Sequence, residues 1–213
     1  MIEQRTPEWY AQRLGKATAS RIADIIATTK TGVSQMRVNY AAELIAERLT
    51  GSLTPNYVSG PMQWGIDNEE AARAAYADRC GLLVVPAEFI DHPEIMWAGA
   101  SPDAYVETDG LVEIKCPNTA THIDTLLGGK IEPKYLTQMQ WQMACTGRLW
   151  CDFVSYDPRL PMRMQLAVQR VPRDLSRILE LEGEVRSFLA DVAERTERLS
   201  AMYGPVGGEE IAA

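Results

Sequence analysis

Apolar positions recur with helical spacing along the first eighty residues, fall into short extended runs through the middle of the chain, and return to helical spacing at its end. Thr6 before Pro7 is a good helix start, predicting a short helix over 8–14. Thr18, Ala19 and Ser20 read as the cap of a second helix reaching Ile26, and the polar stretch 28–34 reads as a loop. Over 35–50, Val38, Ala41, Ile45 and Leu49 share one face, and Gly51 sits where a C-cap belongs. Residues 51–61 read as a loop, followed by a helix over 65–79 that stops at Gly81. Extended runs follow at 82–85, 88–90 and 96–100, then at 104–107 and 111–116 on either side of Asp109-Gly110, a tight hairpin signal. A helix over 132–144, strands over 150–156 and 162–171, and a closing helix over 173–202 complete the pattern. Met164, Leu166 and Val168 share a face of the last strand. Leu175, Ile178, Val185, Phe188, Val192 and Leu199 form the stripe of the last helix.

Helices, a strand meander, a helix, two strands and a long helix make an α/β layer with a central mixed sheet. With 213 residues at 46% hydrophobic composition the chain can bury one sizeable core, read as a single domain over 1–203 with a flexible tail over 204–213. No long apolar run predicts a membrane span, and residues 1–10 lack the apolar centre of a signal peptide, so a cytoplasmic protein is expected. Cys80, Cys116, Cys145 and Cys151 are scattered singly, which disfavours zinc or iron–sulfur ligation and leaves buried or incidental thiols.

The chemistry concentrates in Ser101-Pro102-Asp103, nine intervening residues, and Glu113-Ile114-Lys115. Strand side chains alternate, so Glu113 and Lys115 share a face while Val112 and Ile114 turn to the core, as a half-buried strand requires. A hairpin at Asp109-Gly110 brings Asp103 back towards Glu113. Two carboxylates and a backbone carbonyl suit Mg²⁺, a hard ion that takes few protein ligands. Such an ion polarises a phosphate oxygen and acidifies water, while Lys115 orients or deprotonates that water or stabilises phosphorane charge. The net charge of −8 argues against tight binding to open DNA surfaces, because phosphate neutralisation needs Lys and Arg. A cleft can nonetheless be locally basic, and Arg13, Lys16, Lys30 and Arg37 concentrate in the first forty residues.

Ser101-Pro102-Asp103 with Glu113-Ile114-Lys115 resembles the PD-(D/E)xK nucleases, and the wider chain resembles the phage lambda exonuclease family, the YqaJ-type viral recombinases. Arg13-Leu-Gly-Lys-Ala-Thr-Ala-Ser20, Trp64-Gly65 with Glu69, Leu111-Val-Glu-Ile-Lys-Cys-Pro117 with Leu127-Gly-Gly129, Tyr135-Leu-Thr-Gln138-Met-Gln140 and Tyr156-Asp-Pro-Arg159 resemble that family's motifs, in order, over about residues 5–200. The resemblance implies a restriction-endonuclease-like core and a Mg²⁺-dependent exonuclease that processively degrades one strand of duplex DNA 5′ to 3′. The 3′ overhang would go to a single-strand annealing protein in phage-type recombination. It also implies a ring trimer, a bacterial host cytoplasm, and two Mg²⁺ ions per site that Mn²⁺ can replace. Asp103, Glu113 and the Ile114 carbonyl would hold the metal, with Glu69 at the edge through water. Lys115 would act on the nucleophilic water, and Gln138 and Tyr135 would support substrate or lysine. Arg13, Ser20 and Ser101 would hold a terminal 5′-phosphate.

Several residues also have plain readings: Ser20 as a helix N-cap, Glu69 as a first-turn acid, and His122 as a surface histidine. The family carries a basic residue after Lys-Cys-Pro, whereas this chain reads Asn118-Thr-Ala-Thr-His122, so Thr119 or His122 contributes or the phosphate pocket is weaker. Tyr57, Val58 and Met62 give the loop at 51–61 the apolar material for a strand-separating wedge. The main alternative is a structure-specific or restriction-type endonuclease of the same fold. A non-catalytic DNA-end clamp and a plain oligomeric scaffold are the other two.

Overall fold

The first helix starts as its sequence directs: the Trp9 N–H donates to Thr6 Oγ1 at 3.3 Å and α1 runs Pro7–Arg13. The computed structural model describes residues 4–30, 32–55 and 58–204, so Tyr57 and the tail beyond Gly204 lie outside them. Next comes a strand, β1 (Ala17–Thr18), then a 3-10 turn (Ala19–Arg21) and the short α2 (Ile22–Ile25). Ser20 therefore lies within a turn and not at a helix N-cap, a correction with a tertiary cause. Thr18 pairs with Gly99, and its N–H donates to the buried Tyr40 hydroxyl at 3.1 Å, which holds the backbone extended where a cap was expected.

The stretch read as loop 28–34 instead contains a small hairpin, β2 (Thr28–Thr29) and β3 (Gly32–Val33). Helix α3 spans Gln35–Thr50 between a Ser34 cap and Gly51 at φ 65°, as the sequence predicts. Its buried face is Tyr40, Ala41, Leu44 and Ile45, while Val38 is exposed. Helix α4 (Gly60–Cys80) begins five residues before its predicted start, because Ser59 Oγ accepts the Met62 N–H at 3.4 Å and Pro61 suits the first turn. Glu69 then falls mid-helix, not in the first turn, and Met62 belongs to the helix rather than the loop.

The remaining elements are β4 (Val84–Pro86), β5 (Ile90–Asp91), β6 (Ala98–Ala100), β7 (Ala104–Val106), β8 (Gly110–Lys115), α5 (Thr119–Leu126), α6 (Pro133–Thr146), β9 (Trp150–Tyr156), β10 (Leu166–Pro172) and α7 (Leu175–Tyr203). Met162–Met164 is a 3-10 turn and not the start of β10. Leu175 and Leu199, expected in the stripe of α7, are exposed, while Ile178, Val185, Phe188 and Val192 are buried.

The main sheet is mixed, in the order β10-β9-β8-β7-β4, with β8 and β9 parallel and the other pairs antiparallel. Helices flank it as expected. On one face Ala72 and Tyr76 of α4 pack on Val112, Ile114 and Val154. On the other, Met139 and Met143 of α6 and Ile178 of α7 pack on Leu111, Cys151 and Phe153. The crossover from β8 to β9 carries α5 and α6. A second, small sheet, β1-β6-β5, joins α2, α3 and α7 in a separate apolar cluster around Tyr40, Leu44 and Phe188. Strand β8 is thus covered on both sides, and the expectation of a half-buried strand gives way to a strand whose acidic face lies under a helix.

Candidate active site

The hairpin that brings the acids together is β7–β8, paired so that Ala104 faces Val112. Its connection is the three residues 107–109, with Glu107 at φ 47°, and not a two-residue Asp-Gly turn. Gly110 is required for a different reason: a Cβ there would stand 2.2 Å from the Trp150 ring, which lies across the start of the strand. The register carries Asp103 past the end of β7, and its Oδ2 accepts the Ile114 N–H at 2.6 Å.

Glu113 is 1% exposed beneath α6. A buried carboxylate is costly unless its oxygens are met. Here Oε1 accepts from Gln138 Nε2 at 2.7 Å and lies 2.5 Å from Lys115 Nζ, while Oε2 accepts from Gln142 Nε2 at 2.6 Å. Gln138 and Gln142 stand one helical turn apart, so both amides point at the same strand position. Lys115 sits at the rim with its ammonium 4.9 Å from the Tyr135 ring centre, and Tyr135 stacks on Phe153. A cleft of about 260 Å³ opens beside Lys115, between Asn118 and Thr121 on one side and Lys130 and Tyr135 on the other.

Charge in this site is out of balance. Burial, and then the neighbouring Glu113, hold the Asp103 carboxyl well above the usual carboxylate range. Burial together with Glu69 and Asp103 pushes the Cys116 thiol up to about 12, so this thiol stays protonated and inert. Burial works to lower Lys115, but Glu113 and Asp103 outweigh it and hold the ammonium above its ordinary range. One ammonium against two facing carboxylates leaves negative charge that a divalent cation would neutralise. Among the described residues no three acidic, histidine or cysteine side chains gather at ligand spacing. The donor set is two carboxylates with the carbonyl of Ile114, the residue that follows Glu113, which fits Mg²⁺ in its preference for few protein oxygens and several waters. Glu69 is engaged elsewhere, paired with Arg5 and 3.8 Å from Arg73, although its charge reaches Asp103.

Arg13 and Ser101, far apart in sequence, meet: Arg13 Nη1 donates to Ser101 Oγ at 3.1 Å. Trp9 Nε1 donates to the same oxygen at 3.1 Å and its ring lies 4.1 Å from the guanidinium carbon. Arg13 pairs with no carboxylate among the described residues, and burial pulls its pKa down to about 10. A half-buried guanidinium without a counter-ion is suited to receive an anion. Lys16 and Arg37, grouped with it on sequence, instead pair with Asp91 at 2.5 Å and Glu184 at 3.3 Å, and Lys30 is exposed. Ser20 is exposed on its turn. Val58 and Met62 are exposed beside the helix start.

Three features escaped the sequence reading. Gln142 was legible as the second of two glutamines four residues apart on a helix. Trp9 carried no signal. Helix α5 was not predicted, and His122 on it is fully buried rather than a surface residue: its ring nitrogens lie 2.7 Å from Ser155 Oγ and 2.8 Å from the Met164 carbonyl. Thr119 bonds to Asp157. Both candidates for the missing basic residue are therefore committed to the fold.

A sequence model of the YqaJ-like viral recombinase domain matches residues 8–149. Among solved structures, the chain is similar to an alkaline exonuclease, LHK-Exo, from Laribacter hongkongensis, with 52% identity, 92% of this chain and 97% of that one covered, and a TM-score of 0.86. The complex of LHK-Exo with dAMP matches at 51% identity over the same shares, also with a TM-score of 0.86. A phage-related exonuclease from Haemophilus somnus 129PT shares the fold at 17% identity, covering 88% of this chain and 96% of that one, with a TM-score of 0.63. No curated protein sequence matches significantly.

Proposed function

Since the chain belongs to the YqaJ-like viral recombinase family, whose domain spans residues 8–149, we propose that it is a Mg²⁺-dependent exonuclease that digests the 5′-ended strand of duplex DNA. It is a nuclease of the phage exonuclease type, by family and by its likeness to an alkaline exonuclease over nearly the whole chain. The observation that carries the metal and the reaction is the pair of acids, Asp103 and Glu113, held on either side of the Ile114 amide with Lys115 at the rim. Magnesium held there by Asp103, Glu113 and the Ile114 carbonyl supplies Lewis acidity towards the scissile phosphate and an acidified water.

The chain's own residues do the rest. Gln138 fixes the Glu113 carboxylate from above, and Lys115, kept cationic by the two acids, places positive charge where the phosphorane forms. Arg13 and Ser101 take the terminal 5′-phosphate, with Ser20 reaching it from its exposed turn, and so set the strand polarity. Tyr135 lines the cleft through which the digested strand passes. Tyr57, Val58 and Met62 part the terminal base pair. Glu69, held by Arg5 and Arg73, sets the charge beside Asp103. Repeated turnover on one end leaves a 3′ overhang for a single-strand annealing protein, and closure of three subunits around the duplex keeps the enzyme on it.

The test is digestion of a linear duplex labelled separately at each 5′ and 3′ end, with Mg²⁺ or EDTA, beside a closed circle. Loss of the 5′ label in Mg²⁺ alone, with the circle intact and Lys115→Ala inactive yet still binding ends, is the expected result. Cutting of the circle would favour the endonuclease alternative, and loss of 3′ label first would reverse the polarity.

A further inference from the structure

We propose that Gln142 is a positioning residue for the metal site, holding Glu113 Oε2 in place from inside the core. The inference rests on the reading of Glu113 as a metal ligand. Gln142 is fully buried on α6, whose Met139 and Met143 pack in an apolar cluster with Leu111, Cys151 and Phe153. Its Nε2 donates to Glu113 Oε2 at 2.6 Å. Its own carbonyl, Oε1, is buried with no partner among the described residues. A side chain serving only to fill space there would be apolar, since an amide with one unmet atom weakens the fold. The amide also cannot turn over to relieve this, because Oε1 would then face a carboxylate oxygen. The strain is accounted for by what Nε2 does.

What it does is specific. Oε1 of Glu113 is already met by Gln138 and Lys115, both at the rim of the cleft. Oε2 has Gln142 as its one donor among the described residues. Two amides one helical turn apart grip both ends of the carboxylate, which fixes its plane and rotation while leaving lone pairs for a cation. Without Gln142 the Oε2 end loses its donor, and the carboxylate is held at Oε1 alone, by Gln138 and Lys115. The expected consequence is weaker and less selective cation binding with DNA contacts untouched.

The experiment compares wild type, Gln142→Met, Gln142→Asn and Glu113→Gln. Mn²⁺ affinity is measured on the DNA-free protein by titration calorimetry, and duplex-end affinity in EDTA is measured separately. Gln142→Met should weaken Mn²⁺ binding by about tenfold, the usual range for a partner that orients a ligand, and leave end affinity unchanged. Single-turnover cleavage should fall with it and recover in part at raised Mn²⁺. Should Gln142→Met not fold, Gln142→Asn keeps the amide one methylene short of Glu113 and should show the same loss. Wild-type Mn²⁺ affinity in the folded variants, with a lowered melting temperature alone, overturns the proposal and makes Gln142 a packing residue. If Glu113→Gln itself binds Mn²⁺ as wild type does, the reading of the metal site fails instead. If Glu113→Gln loses Mn²⁺ and the Gln142 variants keep it, only this inference falls.

Discussion

Asp103 Oδ2 accepts the backbone N–H of Ile114 at 2.6 Å, which ties the acid before one strand to the middle of the next. The bond fixes where the carboxylate stands without using its charge. An amide oxygen makes the same bond, so Asp103→Asn should keep the hairpin and lose the anion. We expect cleavage to fall by at least about a thousandfold, several kcal/mol of barrier, while duplex-end binding in EDTA persists. Single-turnover rates beside an end-binding titration check it.

The same substitution should reveal the site's excess negative charge. In the folded protein, burial and then Glu113 hold the Asp103 carboxyl well above its ordinary value. A carboxyl raised in this way binds its proton more tightly folded than unfolded. Metal-free wild type should therefore lose stability as pH climbs from the ordinary carboxylate range through the raised value. Asp103→Asn carries no such group. In EDTA its melting temperature should exceed that of wild type by a margin that widens with pH across that window. A margin that stays constant with pH would show that the two acids do not repel.

How much of this was legible depends on how local each cause is. Helix α3 and strand β9 fall where their patterns put them, because the apolar face and Gly51 of the one and the short extended run of the other are signals within the segment. That Glu113 and Lys115 share a face was legible for the same reason, because period-two alternation on β8 is local; the approach of Asp103 depended on the hairpin between β7 and β8. Gly110 was noticed as a turn residue, yet its need comes from Trp150, forty positions away. Ser20 looked like a cap because Thr18 and its neighbours are cap-like, and the pairing with Gly99 that overrides them is remote. Helix α5 carries a local cap, Asn118 Oδ1 accepting the Thr121 N–H at 3.0 Å, that went unread, while the burial of His122 comes from Ser155 and Met164, which no window of sequence contains. The burial of Glu113 was missed because the helix that covers it lies twenty residues on.

Arg13 should govern the response to a terminal phosphate. Its guanidinium is half-buried against Trp9 and Ser101 and has no carboxylate among the described residues to satisfy it. A bound phosphate supplies that missing charge, a contact between ions of about 1.5–3 kcal/mol. Arg13→Ala should therefore abolish about a tenfold or larger preference for 5′-phosphorylated over 5′-hydroxyl ends. Rates on the two substrates, each measured for both proteins, give the ratio. Equal loss on both would place Arg13 outside the phosphate pocket. Ser101→Ala should narrow the preference less, since it removes a neutral donor.

The wedge makes a prediction about substrate shape. Val58 and Met62 are exposed apolar side chains next to the start of α4, and Tyr57 neighbours them in sequence. Replacing Tyr57, Val58 and Met62 together by small residues should slow digestion of blunt duplex severalfold and leave pre-frayed ends unaffected, because unpairing one terminal step costs only a few kcal/mol. Equal slowing on both substrates would count against a wedge.

Away from the cleft, Asp152 is the other buried acid of the sheet, and it sets a control. It lies on β9 under α4 and accepts from the Tyr76 hydroxyl at 2.7 Å and from Arg170 at 2.8 and 2.9 Å. Tyr76 is fully buried, so its hydroxyl has no water to turn to, and burial and then Asp152 hold it far from ionising. Tyr76→Phe removes the hydroxyl and leaves one oxygen of a buried carboxylate to Arg170 alone. The expected cost is about 1–3 kcal/mol of stability, the range for a hydrogen bond to a charged group. Urea unfolding should show a lowered midpoint with an unchanged slope, because the surface exposed on unfolding is the same. Cleavage at 25 °C should match wild type, since Tyr76 faces the opposite side of the sheet from Glu113 and Lys115. A large loss of rate without loss of stability would mean that α4 couples to the carboxylates through Val112 and Ile114, the two residues it packs against.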